Sequence, residues 1–301
     1  MEIEIVKWFQ SFSNNFLDGL NSVLTRFGED LFFVCIFLLL YWCVSYNHAF
    51  KFTLFYCASV AVNSVIKTIV KRPRPWMASN LIENKLPASG FSFPSGHSQS
   101  ISSICTYLTF NVYKSKQTNA IKLTSVIASV VLCIIVALTR LYLGQHYLTD
   151  VLTGLIIGTI VMLTLLILNE KFGEKFKRIK PEYVLATVSL IMLIAITVLS
   201  FNSLGLSYGT LSKIYKYTGL ACGGTIGFII CNNRVENIAT SFNQRVIKLI
   251  IGYVVVFGLY FLLRLIPSSF VSSFCIMLVL SFIATCVYPI TYNYVYLKIK
   301  K

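Results

Sequence analysis

Three polar clusters interrupt an otherwise apolar chain, and their side chains are of the kinds that can bind and transfer a phosphoryl group. The clusters are Lys67 with Arg74-Pro75, Pro94-Ser95-Gly96-His97, and Arg140 with His146 and Asp150. Arginine bonds phosphate oxygens through a planar fork, and lysine offers them a compact positive charge. Ionisable side chains at the ends of membrane helices are costly to bury and usually have a function. We therefore predict an anion site with Lys67, Arg74 and Arg140 as its cations.

The second cluster adds a helix N-terminus to this site. Gly96 begins a predicted membrane span over residues 96–113. A helix N-terminus offers an anion unpaired N–H groups and a favourable dipole. Ser95 precedes the span and carries the hydroxyl typical of an N-cap residue. Ser95 and Gly96 are accordingly predicted to contact phosphate.

Two histidines and an aspartate complete the predicted chemistry. His146 and Asp150 are four residues apart at the start of a predicted span, so they should share one face of a helix. A carboxylate there can hold one imidazole nitrogen as N–H and leave the other free to attack. His97 is then the acid that protonates the leaving oxygen. Of the acids, Glu83 and Asp150 lie near the clusters in the sequence, too few for a two-metal site, so no metal or cofactor is predicted.

The composition is that of a polytopic membrane protein. Hydrophobic residues make up 56% and charged residues 12% of the chain, and its mean hydropathy is +0.74, whereas soluble domains carry about 25% charged residues. The formal net charge of +15 comes from residues between apolar runs, which is typical of membrane topology rather than of nucleic-acid binding. The nine cysteines form no CxxC pair, so neither a disulfide framework nor a zinc site is predicted.

We predict an all-α, polytopic bundle of transmembrane helices, because apolar runs of about 20 residues can cross a bilayer. The nine predicted spans are residues 30–47, 51–70, 96–113, 120–140, 147–168, 182–201, 211–231, 246–265 and 268–295. Residues 1–28 mix aromatic, acidic and amide side chains, which predicts an amphipathic segment in the membrane interface. Residues 29–170 would form the catalytic core, and residues 171–301 additional transmembrane helices.

The charges between the spans predict which ends face outwards. With an outer N-terminus, most Lys and Arg residues fall on the inner side and most acids on the outer side, as the positive-inside tendency requires. All three polar clusters then lie at the outer face of the membrane. Small residues at four-residue spacing also predict close helix packing. They are Gly154 and Gly158 in the fifth span, and Gly219, Gly223 and Gly227 in the seventh.

Together, the clusters resemble the three-part signature of the type 2 phosphatidic acid phosphatase (PAP2) superfamily. The matching segments are Lys67-x6-Arg74-Pro75, Pro94-Ser95-Gly96-His97 and Arg140-x5-His146-x3-Asp150, with Leu141-Tyr142-Leu143-Gly144 inside the last. The resemblance covers about residues 60–165 and departs at Thr139, where the family usually has serine. It implies a PAP2-like helical core and a phosphohistidine intermediate on His146. In that scheme Asp150 orients His146, His97 is the acid, and the cations hold phosphate.

The resemblance also implies an integral membrane phosphatase acting on a lipid-linked phosphomonoester or diphosphate at the outer face. Isoprenyl diphosphate, phosphatidate-like and sphingoid phosphates are the expected substrates, with membrane lipids and no nucleic acid as partners. The span layout is similar to those of glucose-6-phosphatase and the sphingosine-phosphate phosphatases. Two alternatives stay open: a lipid phosphotransferase using the same site, and a non-catalytic lipid-binding or transport protein on the same fold. The soluble vanadate-dependent haloperoxidases of the superfamily are disfavoured by the predicted spans.

Overall fold

The computed structural model describes residues 1–88, 90–176, 208–232, 241–267 and 269–299, together with four helical positions between 184 and 191. The regular elements in these ranges are helices, which confirms the all-α prediction. The chain divides into two compact units. The first comprises Met1–Ile36 and Lys51–Glu174, and the second comprises Phe37–Phe50 and Lys175–Lys301.

The first unit carries the predicted site. Its helices are α1 (Glu2–Gln10), α2 (Asn15–Leu24), α3 (Asp30–Leu39), α4 (Tyr46–Val70), the single turn α5 (Pro75–Ala78), α6 (Gly96–Lys114), α7 (Asn119–Tyr142) and α8 (Leu148–Phe176). A 3-10 turn over Thr25–Gly28 joins α2 to α3. The last residues of α3 and the first residues of α4 belong to the second unit.

Two π-helical turns are hydrogen-bonded to each other in the second unit. It contains α9 (Tyr208–Asn232), α10 (Phe242–Leu263), α11 (Phe270–Phe282) and α12 (Tyr288–Ile299), with π turns at Leu40–Val44 and Ile283–Val287. A π turn interrupts the regular hydrogen-bond ladder of a helix. Tyr41 Oη donates to Thr285 O at 2.7 Å and Trp42 Nε1 to Ala284 O at 2.9 Å. Residues of the first π turn thus satisfy carbonyls of the second.

Within the residues that the structure describes, six helical segments are long and apolar enough to cross a membrane. They are Tyr46–Ala78, Asn119–Tyr142, Leu148–Gly173, Ile214–Cys231, Phe242–Leu263 and Phe270–Lys298. Asn15–Gly28 and Asp30–Val44, which are bent by 52°, pass the same test only as a pair and would raise the number to seven. The prediction of nine spans is therefore not confirmed. The predicted span over 30–47 falls within the bent pair, and the one over 182–201 lies largely outside the described residues.

The predicted span over 96–113 forms a helix, α6, but this helix is too polar to be counted among the six. Its polar side chains are used inside the first unit, against α4. Gln99 Nε2 donates to Ser59 O at 2.6 Å, Asn63 Nδ2 donates to Gln99 Oε1 at 2.8 Å, and Ser59 Oγ lies 2.9 Å from Ser103 Oγ. Hydrogen bonds of this kind join helices within membrane proteins. A helix surrounded by protein does not need the hydropathy of one that faces lipid.

The glycine spacing marks close helix contacts, as predicted. A Cβ atom at Gly154 of α8 would lie 2.5 Å from Ser95 O, and one at Gly158 would overlap atoms of Gln99 and Ser102 on α6. In the second unit, Cβ atoms at three glycines of α9 would overlap α11 and the π turn that follows it; these glycines are Gly219, Gly223 and Gly227. Both glycine series therefore allow backbones to approach each other.

The N-terminal segment presents three aromatic side chains outwards. α1 and α2 pack on α7, while Trp8, Phe12 and Phe16 are 58%, 52% and 75% exposed. An outward apolar face is what an interfacial segment needs. The location of residues 1–28 in a membrane interface stays a prediction.

Candidate active site

The N-termini of α6 and α8 lie side by side at the predicted site. Ser95 is the N-cap of α6, as predicted, and its Oγ accepts from Ser98 N at 3.4 Å. Ser95 N donates to Asp150 O at 2.9 Å, which ties this cap to the first turn of α8. Gly96 is the first helical residue, so the backbone can approach an anion there without a side chain intervening. Two positive helix ends therefore converge on one place.

His146 lies in the turn between α7 and α8, before α8 begins at Leu148. The prediction that His146 and Asp150 share a helix face is therefore wrong, although their side chains do meet, with Nδ1 3.5 Å from Asp150 Oδ2. The difference arises from Gly144, whose φ of +70° turns the chain out of the α7 helix. A Cβ atom at Gly144 would lie 2.8 Å from Gln10 Nε2 and would overlap Glu83 O. Sequence spacing alone did not distinguish this turn from a helix.

Asp150 is fully buried and is held by donors other than His146. Its Oδ1 accepts from Arg72 Nη1 at 2.9 Å. Its Oδ2 accepts from Tyr147 N at 2.9 Å and from the Ser92 hydroxyl. The contact with His146 is longer than an ordinary hydrogen bond, and Ser92 Oγ lies 3.4 Å from the same imidazole nitrogen. Donors other than His146 therefore fix the orientation of the Asp150 carboxylate, which can in turn orient the imidazole.

Arg74 faces the opposite side of the imidazole. Its Nη1 lies 3.4 Å from His146 Nε2 and donates to Gln145 O at 3.0 Å, while its Nε donates to Gly90 O at 3.0 Å. Lys67 Nζ donates to Phe91 O at 2.9 Å and to Ser92 O at 3.3 Å. Loop carbonyls therefore hold both cations next to the histidine.

Arg140 is the most deeply enclosed of the three predicted cations, at 4% exposure. Its Nη1 donates to Thr25 Oγ1 at 2.6 Å, and within the described residues its buried Nε has no hydrogen-bond partner. A buried donor without an acceptor is costly, and a phosphate oxygen would satisfy it. The neighbouring Thr139, where the family usually has serine, donates its hydroxyl to Val136 O at 2.7 Å, within its own helix.

His97 lies against the turn that joins α2 to α3. A Cβ atom at Gly28 would lie 2.7 Å from His97 Cβ, so this turn and the start of α6 are in close contact. His97 interacts electrostatically with Arg140, His146, Arg74 and Lys67. The predicted acid is therefore brought to the same place as the predicted nucleophile and cations.

The surroundings of His146 keep its imidazole neutral. Burial is the main cause, and the charges of Arg140, Arg74 and Lys67 act in the same direction. The contact with the Asp150 carboxylate opposes them only in part, so the pKa of His146 is lowered to about 3. A neutral imidazole retains the lone pair that a nucleophile needs.

Several side chains at the site were missed from the sequence: Arg72, Ser92, Gln145, Thr25 and Glu2. Arg72 had a usable signal, because it repeats the Arg-Pro pattern of Arg74-Pro75 two residues earlier. Glu2 had none, since it reaches Arg72 and Thr149 from the far end of the chain. In space, Glu2 therefore joins Asp150 as an acid near the clusters, which its position in the sequence did not indicate.

The site is rich in cations and poor in metal ligands. Across the described ranges, no group of three His, Cys, Asp or Glu side chains is arranged to hold a metal ion. An anion with several oxygens, such as a phosphoryl group, would suit this site. It could bind to Lys67, Arg74 and Arg140, including the Arg140 Nε that has no partner among the described residues, and to the two helix N-termini.

Comparison with known proteins gives two family matches on this chain. The model of the PAP2 superfamily matches residues 48–174, and that of the PAP2 superfamily phosphatase transmembrane extension matches residues 215–300. Phosphatidylglycerophosphatase B of Bacillus subtilis (strain 168) is 36% identical over 125 residues, which are 40% of this chain and 56% of the relative. A probable sphingosine-1-phosphate phosphatase of Dictyostelium discoideum is 25% identical over 235 residues, which are 76% of this chain and 56% of the relative. The chain thus spans about half the length of these curated relatives.

A solved structure shares the fold. The crystal structure of the first transmembrane PAP2 type phosphatidylglycerolphosphate phosphatase, from Bacillus subtilis, superposes with a TM-score of 0.50 at 24% identity. The superposition covers 60% of this chain and 87% of that chain.

Proposed function

The chain belongs to the PAP2 superfamily, and on that premise we propose that it is a multi-pass membrane phosphatase that hydrolyses a lipid-linked phosphomonoester or diphosphate. The observation that carries the proposal is the buried pairing of His146 with Asp150 on one side and Arg74 on the other. A neutral histidine between an orienting carboxylate and a phosphate-binding cation suits nucleophilic attack on phosphorus.

The proposed reaction has two displacements at phosphorus. His146 Nε2 attacks, and the bond from phosphorus to the leaving oxygen breaks. His97, which takes up a proton when the bound anionic phosphoryl group offsets the neighbouring cations, gives that proton to the leaving oxygen. Water then attacks the phosphohistidine and loses a proton to His97, so that inorganic phosphate leaves and both histidines are restored. Asp150 holds Nδ1 of His146 as N–H throughout.

Phosphoryl transfer needs positioning and charge stabilisation more than covalent chemistry. Lys67, Arg74 and Arg140 are proposed to hold the phosphoryl oxygens, together with Ser95 and Gly96 at the N-terminus of α6. Arg74 is already within 3.4 Å of the attacking nitrogen, and Arg140 Nε has a free donor to offer. These groups supply positive charge without a metal ion.

A lipid-linked substrate is supported by the site's position at helix ends and by the relatives' names, which refer to phosphatidylglycerophosphate and sphingosine-1-phosphate. We propose isoprenyl diphosphate, phosphatidate-like or sphingoid phosphates as substrates. With the nine spans predicted from the sequence, the distribution of charge between them favours an active site on the outer face. Residues 29–170 are proposed as the catalytic core and residues 171–301 as additional transmembrane helices, in line with the two family matches.

Phosphate release from a panel of lipid phosphates and diphosphates, measured on the purified full chain in detergent, tests this function. The wild type should release phosphate, and His146→Ala should lose activity by at least ~10³-fold, as nucleophile deletions do. His48→Gln is the matched control, because His48 is exposed and belongs to the second unit. Most of the activity surviving in His146→Ala would overturn the mechanism, and transfer of phosphate to a lipid acceptor instead of water would make the protein a phosphotransferase.

A further inference from the structure

Arg72 links Asp150 to Glu2, which lies in the first turn of helix α1. Arg72 Nη1 donates to Asp150 Oδ1 at 2.9 Å and to Thr149 Oγ1 at 2.7 Å. The other terminal nitrogen, Nη2, donates to Glu2. The second Glu2 oxygen accepts from Thr149 Oγ1 at 2.7 Å and from Thr149 N at 3.2 Å. Glu2, Arg72 and the first turn of α8 thus form a closed set of hydrogen bonds.

Arg72 itself has little freedom to leave this position. Its guanidinium carbon lies 3.8 Å from the centre of the Tyr147 ring, an arrangement in which the cation is attracted to the ring face. Lys71 before it has a φ of +50°, and Pro73 after it has a fixed φ. The backbone and the tyrosine therefore aim Arg72 at Asp150.

The two oxygens of Asp150 have different tasks. Oδ2 faces His146, Ser92 and Tyr147 N, whereas Oδ1 is bonded to Arg72. Without Arg72, the carboxylate could rotate about its bond, and the 3.5 Å contact with His146 is the longest and the first to be lost. Without Glu2, Arg72 would lose the partner on its second nitrogen and could turn both nitrogens towards Asp150, which would draw the carboxylate away from the imidazole.

We propose that Glu2 and Arg72 are positioning residues for the proposed phosphatase, and that helix α1 is therefore part of the catalytic unit. Arg72 acts on Asp150, and Glu2 acts through Arg72. Neither side chain is proposed to touch phosphate, which Lys67, Arg74 and Arg140 are proposed to hold. The inference rests on the proposed function, but the contact that carries it can be tested without activity.

The test compares Glu2→Gln, Arg72→Gln and the double variant with the wild type, in the full chain in detergent. Arg72→Gln should lower kcat by ~10- to 100-fold, as loss of a supporting hydrogen-bond partner does, with KM changed less than ~3-fold because phosphate is still bound. Inhibition by inorganic phosphate should stay the same, while inhibition by vanadate, which resembles the transition state, should weaken by the same factor as kcat. Arg72→Lys should recover part of kcat, since its ammonium can reach Asp150 but not Glu2 as well.

Glu2→Gln should lower kcat by a smaller factor, and the double variant should be no slower than Arg72→Gln, because Glu2 acts through Arg72. Glu4→Gln is the matched control on the same helix, since Glu4 is exposed, and it should behave as the wild type. An unchanged kcat in Arg72→Gln, or effects of the two single variants that multiply in the double, would overturn the inference. In the wild type, Glu2→Gln, Arg72→Gln and the double variant, the changes in melting temperature should be non-additive even if no substrate is turned over. Additive changes would overturn the contact between Glu2 and Arg72 itself. A wild type that turns over no lipid phosphate but shows this coupling would instead refute the proposed function.

Discussion

Replacing Gly144 with alanine should be among the most damaging single-methyl changes in the first unit. Gly144 has a φ of +70°, and atoms of Glu83 and Gln10 occupy the space that a Cβ atom at Gly144 would need. The left-handed conformation costs a residue with a Cβ about 1–2 kcal/mol. Forcing a methyl group against packed atoms costs a further ~1–3 kcal/mol. The expected loss of stability is therefore about 2–5 kcal/mol.

Two other glycines separate these contributions. Gly90 has a φ of +72° but nothing within 4 Å of its Cβ position, so Gly90→Ala should cost only the conformational part, about 1–2 kcal/mol. Gly19 lies inside α2 with nothing within 4 Å of its Cβ position, so Gly19→Ala should stabilise the chain by up to about 1 kcal/mol. The melting order should be Gly19→Ala above the wild type, then Gly90→Ala, then Gly144→Ala.

Thermal unfolding in detergent, followed with a thiol-reactive dye that reports the exposure of buried cysteines such as Cys105, measures this order. Phosphate release should fall in Gly144→Ala by more than its folded fraction explains, because displacing a group at a site by ~1 Å can cost ~10²-fold and His146 is two residues away. If Gly144→Ala has the same melting temperature as Gly90→Ala, the predicted steric overlap at Gly144 is refuted. If it has the same melting temperature as the wild type, the left-handed backbone conformation at Gly144 is refuted as well.

Three further outcomes follow from the site and its surroundings. Activity should survive excess EDTA and be inhibited by vanadate, because Lys67, Arg74 and Arg140 are proposed to supply the charge stabilisation; loss on chelation with recovery on adding magnesium would contradict that assignment. In a cysteine-free background, a cysteine at Asn80 should react with an impermeant maleimide in intact cells, and one at Lys116 only after permeabilisation; equal labelling would contradict the outer location of the site. The Tyr142 hydroxyl and the Lys85 ammonium lower the pKa of Asp18, so the stability from this pair is present at neutral pH and lost as pH falls through that lowered pKa. Melting should therefore decline in acid less steeply in Asp18→Asn than in the wild type, by at most ~1 kcal/mol since the pair is partly exposed; equal acid sensitivity would show that Asp18 contributes nothing.

The sequence was most informative where a residue type has one local use. Ser95 was predicted as an N-cap and is one, because its hydroxyl and the following glycine fit a helix start and little else. The glycines Gly154 and Gly158 were predicted to mark a helix contact and do so. In these cases the prediction depends on neighbouring residues, as at Ser95, or on a regular spacing along one helix, as at Gly154 and Gly158.

The sequence was least informative where distance along the chain separates the partners. Glu2 and Arg72 are 70 residues apart, and no local pattern relates them. The path of the chain at His146 depends on the sign of one φ angle, at Gly144, which the spacing between His146 and Asp150 does not reveal. The partners of the polar side chains on α6 were hidden for a related reason, since Ser103 and Gln99 are matched by Ser59 and Asn63 on α4, about 40 residues earlier in the chain.

The close approach of α6 and α8 at Gly154 and Gly158 also bears on how substrate choice can change in evolution. These helices carry His97 and Asp150 at their first turns, and their backbones already touch, so the two helices cannot move apart or closer without losing that packing. We expect the space for the reacting phosphoryl group to stay the same while lineages diverge. Under the proposed function, selectivity for the lipid part would then depend on exposed side chains of the loop over residues 71–95, such as Met77 and Leu81, whose substitution leaves the helix contact and the residues that hold Asp150 intact.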